Sequence, residues 1–207
     1  MRTIKRGRCG RMRWTGLIAL FLATAAVAAA VAPTATPKPS AQACGGILWR
    51  LKTFSDPGRG SVRLTPRQTT IAALGERRYP RPLPRSRRTS FQRQAWEVVA
   101  QITDYRLDGN ELRLVLFDHG AYMNAVVPAP ACLPRSTRAR GSITSVWTSF
   151  FGTCGHPQRS WQPQGAVVHI RGVGFWSSRF KERRGAAPNG AELHPVTGLR
   201  TVVGCGS

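Results

Sequence analysis

The sequence predicts a mainly β domain in which a single helix separates three strands from two more. Three observations carry this expectation. Apolar residues alternate from Trp96 to Val127 in runs broken by tight-turn residues. A single helical stripe occupies Ile143 to Phe151, and strand-like alternation returns after Pro163.

The first strand is read at Trp96–Tyr105, where residues alternate in and out. Asp108-Gly109-Asn110 is a tight turn. Glu111–Phe117 follows with Leu112, Leu114 and Leu116 at every second position, so Arg113 and Phe117 face the other way. His119-Gly120 turns the chain again into a third strand, Ala121–Val127, stopped by Pro128 and Pro130. Ile143, Val146, Trp147, Phe150 and Phe151 then fall at i, i+3, i+4, i+7 and i+8, a helix with a core-facing stripe. Ser142 is its expected N-cap and Gly152 its stop. Ala166–Phe175 is the fourth strand, and Ala191–Val196 with Leu199–Val202 supplies the last, after a polar stretch from Trp176 to Gly190. The order β-β-β-α-β-β is that of a five-stranded OB-like barrel, placed here at residues 93–207.

Ahead of it, 44–92 reads as an irregular basic extension. Trp49–Lys52 suits a short strand, Asp56-Pro57-Gly58 a turn, and Thr69–Leu74 a helical turn. From Arg77 to Arg88, Pro80, Pro82 and Pro84 alternate with arginines and hold the backbone extended, either as a solvated strap or as an arm gripping an anion.

Residues 1–43 have the order of a secretory signal. Six basic residues precede an uncharged apolar run from Trp14 to Ala32, then a Pro/Thr/Ser/Ala stretch and Ala41-Gln42-Ala43. An uncleaved membrane anchor is the alternative; either places 44–207 outside the cytoplasm. Cysteine use agrees: beyond Cys9, the exported part holds Cys44, Cys132, Cys154 and Cys205, an even number suited to disulfides. The pairing expected is Cys132–Cys154, bracketing the helix, with Cys44–Cys205 tying the ends. No zinc-ligand spacing occurs, and no cofactor is implied.

Thirty-one Lys+Arg against nine Asp+Glu give the chain a net charge of +22. Seven of the basic residues lie in 1–43, which leaves +15 on the remainder. Barrels of this kind bind across the outer face of their second and third strands, between the loops joining strands 1–2 and 4–5. The 4–5 loop here carries Arg179, Lys181, Arg183 and Arg184 interleaved with Trp176 and Phe180. Cations that follow phosphates beside aromatics that stack on bases suit a polyanion, whether nucleic acid or an anionic envelope polymer. Arg113, Tyr122 and Arg171 could complete the face. Catalytic groupings are sparse: Glu192 and His194, two apart on one strand, form the best acid–base pair, and with them a secreted hydrolase or nuclease is the alternative. A structural or protein-interaction module of the envelope is a third reading.

Gly172-Val173-Gly174-Phe175 and the run Ala187-Pro188-Asn189-Gly190 to Glu192-Leu193-His194-Pro195 resemble a family of exported bacterial proteins with no assigned activity. Trp49, Lys52, Asp56, Thr69-Thr70 and Val115–Asp118 are similar to its other features. Relatives carry an Asp and a His after the aromatic pair, where this chain has Ser177 and Phe180. The resemblance implies export and a compact β domain with an OB-like fold.

Overall fold

A computed structural model describes residues 44–178 and 183–205. In chain order the elements are α1 (Trp49–Lys52), β1 (Arg63–Gln68), α2 (Ile71–Gly75), β2 (Gln94–Asp108), β3 (Glu111–Asp118), β4 (Ala121–Pro128), α3 (Arg140–Thr153), β5 (Gln162–Pro163), β6 (Val167–Trp176) and β7 (Ala191–Val203). The strands form one mixed sheet in the order β1-β2-β3-β4-β7-β6, with β5 on β2. β6 also pairs with β2, so the pairings β2-β3-β4-β7-β6 return to β2.

The 15 residues of β2 make that return possible. Its first half, Ala95–Gln101, pairs antiparallel with β6, and its second half, Gln101–Asp108, with β3. A register shift between Ile102 and Asp104 marks the bend. The β3–β4 hairpin turns on His119 and Gly120, both at positive φ, the twist a two-residue loop needs to keep its strands paired. β4 and β7 run parallel.

Leu112, Leu114 and Leu116 are fully buried in one core with Val98, Ile102, Met123, Val168, Ile170 and Leu193. α3 closes this core with Ile143, Val146 and Phe150; burying each adds about 1.5–3 kcal/mol. Trp147 and Phe151 stack on each other at 4.8 Å and are partly buried against the same core. The helix begins earlier than expected, after Ala139, so Ser142 and Gly152 are interior positions.

Trp49–Lys52 is a helical turn rather than a strand. Thr53 Oγ1 donates to the Trp49 carbonyl at 2.8 Å and closes it, with Leu51 buried beneath. The Asp56 turn leads into a 3-10 turn at Pro57–Ser61. Thr70 caps α2 by accepting from the Ala73 amide. β1, which the sequence pattern did not predict, adds parallel to β2. The Arg77–Arg88 run is not simply solvated: Arg87 is 6% exposed and paired with Asp56.

All four expected cysteines form disulfides, but the pairs are Cys44–Cys132 and Cys154–Cys205. The expected pairing fails on distance. A 14-residue helix is roughly 21 Å long, and Cys132 and Cys154 lie beyond opposite ends of it. A disulfide needs Cα atoms within about 7 Å. Cys154, at the helix end, instead meets Cys205 just past β7, and Cys132 meets the start of the described chain. Two disulfides suit an oxidising compartment. Among the described residues no helix is long and apolar enough to cross a membrane.

Gly172 and Gly174 are present because strands and loop approach too closely for a side chain. A Cβ at 172 would lie 2.9 Å from that of Leu193, and one at 174 only 2.2 Å from the Phe91 carbonyl oxygen. Gly174→Ala must therefore displace backbone, and we expect a loss of about 1–3 kcal/mol or more in urea unfolding. A variant as stable as wild type would show that the 91–93 turn moves freely. Asn189 has a similar structural role: Nδ2 donates to the carbonyls of Leu74 and Arg77 at 2.8 and 2.9 Å, holding the end of α2.

Candidate functional site

Alternation on β3 buries its leucines, which turns Glu111, Arg113 and Val115 to the outer face beside Asn124 of β4 and Glu192 of β7. That face is covered rather than open. Lys52, from α1, places Nζ 3.3 Å from both carboxylate oxygens of Glu111. Gly185 packs so tightly on Val115 that a Cβ there would lie 2.3 Å from Val115 Cγ1.

Beneath the cover lies a chain of opposite charges. Arg113, 5% exposed, donates from Nε to Asp108 at 3.1 Å and from Nη1 to Glu192 at 3.5 Å. His194 has no exposed surface; its Nε2 is 3.2 Å from Glu111 and its Nδ1 4.0 Å from Glu192, neither in hydrogen-bond alignment. Burial alone would raise the Glu111 carboxyl, but His194, Lys52 and Arg113 outweigh it and hold it at about 2. Burial pushes the His194 imidazole below its ordinary value, against the pull of Glu111. At neutral pH Lys52 and Arg113 thus balance Glu111 and Glu192 with the imidazole uncharged. Glu192 and His194 are both present at the centre, yet neither lines the 280 Å³ cavity at the mouth, which is bounded by Trp49, Lys52, Asp108, Asn110, Glu111, Arg113 and Arg183.

Among the described residues, Trp176, Arg183, Arg184, Tyr122 and Arg171 of the expected binding face lie in different surroundings. Trp176 is 2% exposed, its ring 4.6 Å from Phe91, with Nε1 donating to Thr89 Oγ1; it is core, not a base-stacking platform. Arg183 lies 3.9 Å from Glu192. Arg184 pairs with Asp104 at 3.0 Å and shares a 250 Å³ cavity with Tyr122, which is exposed beside Phe117. Arg171, on β6, is exposed and lies over Gly198. Arg179, Phe180 and Lys181 lie outside the described residues. Among the described residues no three His, Cys, Asp or Glu side chains are grouped as a metal site.

The unexpected feature lies around β1. Arg63, Arg67, Arg77 and Arg93 line a 320 Å³ cavity with Trp96 and Gln94 at its wall. Arg77 and Arg78 continue into a 740 Å³ groove with Tyr79 and Arg81, where Glu76 is the one carboxylate of the lining. Elsewhere the acids are engaged: Asp56 with Arg87, Asp104 with Arg184, Asp108 and Glu192 with Arg113, Glu111 with Lys52. None of the four arginines around Trp96 pairs with a carboxylate among the described residues. The Pro/Arg run was visible in the sequence, but its junction with Arg63 and Arg67 depends on the β1–β2 pairing.

No family model and no curated protein matches the sequence. Solved structures give low similarity. A Leishmania major protein classed as an aspartyl-tRNA synthetase is 13% identical with a TM-score of 0.43, over 70% of this chain and 22% of that one. An OBody bound to hen egg-white lysozyme is 12% identical with a TM-score of 0.38, over 55% of this chain and 86% of that one. This chain is similar to a small part of the first and most of the second, and likeness of this degree carries no argument about fold or activity.

Proposed function

We propose that this is an exported protein with an OB-like barrel that binds polyanions, nucleic acid or an anionic envelope polymer, without catalysing a reaction. The barrel reading is supported by the closed circuit of pairings β2-β3-β4-β7-β6-β2, with the helix α3 between β4 and β6 in the chain and parallel pairing of β4 with β7. Export is supported by the signal-like order of 1–43 and the two disulfides.

One observation carries the binding reading: arginines without carboxylate partners gather over Arg63, Arg67, Arg77, Arg78, Arg81 and Arg93. This moves the contact surface away from the loop between β6 and β7, whose Arg183 and Arg184 face the protein's own acids. Binding to single-stranded DNA across a salt series tests the reading. Each phosphate contact adds about −0.7 to the log–log slope. Changing those six arginines to Gln should flatten the slope by several such steps, and changing Arg179, Lys181, Arg183 and Arg184 to Ala should flatten it less. Equal slopes in wild type and the six-fold variant would overturn the assignment.

A further inference from the structure

We propose that the cavity over Trp96 is a discrete phosphate site, which takes one phosphate group of the bound polymer among Arg63, Arg67, Arg77 and Arg93. This names the chemistry of the polyanion surface and rests on that reading. The site is built from three parts of the chain. β1 brings Arg63 beside Gln94 and Arg67 beside Trp96, with a register shift between them. The turn leading into β2 contributes Arg93, and the end of α2 leads into Arg77.

Trp96 organises the guanidiniums. Its Nε1 donates to the Phe91 carbonyl at 3.0 Å, which fixes the ring, and the indole is 3% exposed. Arg77 lies 4.3 Å from the ring centre and Arg67 5.5 Å, so the aromatic surface holds two cations in place. Ser61 and Ser90 add hydroxyls to the wall, and no carboxylate lines it. Burial and the charge of Arg67 both lower the Arg77 pKa, and its Nε is buried without a hydrogen-bond partner among the described residues. Guanidiniums crowded without a counter-charge repel one another, and a tetrahedral oxyanion removes that cost. It also offers more oxygens than a carboxylate to several planar donors. Because the indole is buried beneath its arginines, recognition is of the phosphate and not of a base.

The test is titration of inorganic phosphate into the disulfide-bonded protein at low ionic strength, followed by calorimetry. One site is expected. Arg67→Gln and Arg77→Gln should each weaken it about tenfold or more, whereas Arg200→Gln, exposed and lining neither cavity, should leave it within about twofold. Arg77→Lys keeps the charge but not the flat, forked donor, and should weaken binding nearly as much as Arg77→Gln. A single-stranded oligonucleotide and a poly(glycerol phosphate) of equal phosphate number should displace the ion alike. An oligonucleotide more than about tenfold better would overturn base-independent recognition. Polymer binding without phosphate uptake, or a phosphate isotherm indifferent to Arg67→Gln and Arg77→Gln, overturns the pocket and leaves the wider surface standing. A wild type that binds neither polymer overturns both.

Discussion

Arg87→Met should cost about 3–5 kcal/mol of unfolding free energy, measured in urea with both disulfides intact. The guanidinium is fully engaged in the interior. It meets Asp56 Oδ1 at 3.0 Å from Nε and 2.9 Å from Nη2, and donates to the carbonyls of Gln92 and Leu51 at 3.2 and 3.0 Å. Its plane lies 4.8 Å from the Phe54 ring centre. Burial lowers its pKa and the Asp56 carboxylate opposes that, so the pair remains ionic in the interior. Removing the cation leaves Asp56, 5% exposed, as a buried charge with no counter-ion, and two carbonyls lose their donor. Adding Asp56→Asn to Arg87→Met should therefore recover part of the loss. Because Arg87 joins α1, the 56–61 turn and the entry to β2, its loss should loosen the whole segment before β2. A single variant within about 1 kcal/mol of wild type would refute this account.

The Arg87 pair also shows where sequence reasoning stops. β2, β3, β4 and α3 were legible because their signals are local: alternation, a two-residue turn, a stripe at helical spacing. The inward direction of Leu112, Leu114 and Leu116 followed from the same rule, and so did the outward direction of Arg113. What the rule could not supply was the cover on the outer face, since Lys52 reaches Glu111 from 59 residues away. β1 was illegible for a related reason. Arg63-Leu64-Thr65-Pro66-Arg67-Gln68 has no apolar alternation and contains a proline, which only an edge strand tolerates; β1 is held by β2 alone. Two cations of the basic 4–5 loop have acidic partners that its local sequence does not reveal: Asp104 on β2 pairs with Arg184, and Glu192 on β7 faces Arg183. Trp176 looked like part of that loop, but β6 runs one residue further and turns it into the core. Cysteine count predicted that disulfides exist, while their pairing is a property of where α3 ends.

Arg113→Met should cost a similar amount, about 3–5 kcal/mol, by leaving Glu192 buried with only the distant Arg183 to offset it. The same cluster fixes how stability depends on acid. His194 has its pKa lowered on folding, so the unfolded chain takes up that proton first. Its contribution is whole above about pH 6.5 and is lost as pH falls below it. Glu111 is held at about 2 in the fold against an ordinary 4.5, so its contribution is whole above 4.5 and disappears as pH falls toward 2. The urea midpoint should thus decline in two stages, one beginning near neutrality and one in strong acid. His194→Met should remove the first stage and shrink the second, because His194 is the largest of the groups that hold Glu111 down and only Lys52 and Arg113 would remain. Its cost at pH 7 should be small, because neither ring nitrogen makes an aligned hydrogen bond that the variant would lose. If the variant keeps a decline just below pH 6.5, another group carries it, and the imidazole is not the neutral member that balances this ionic cluster.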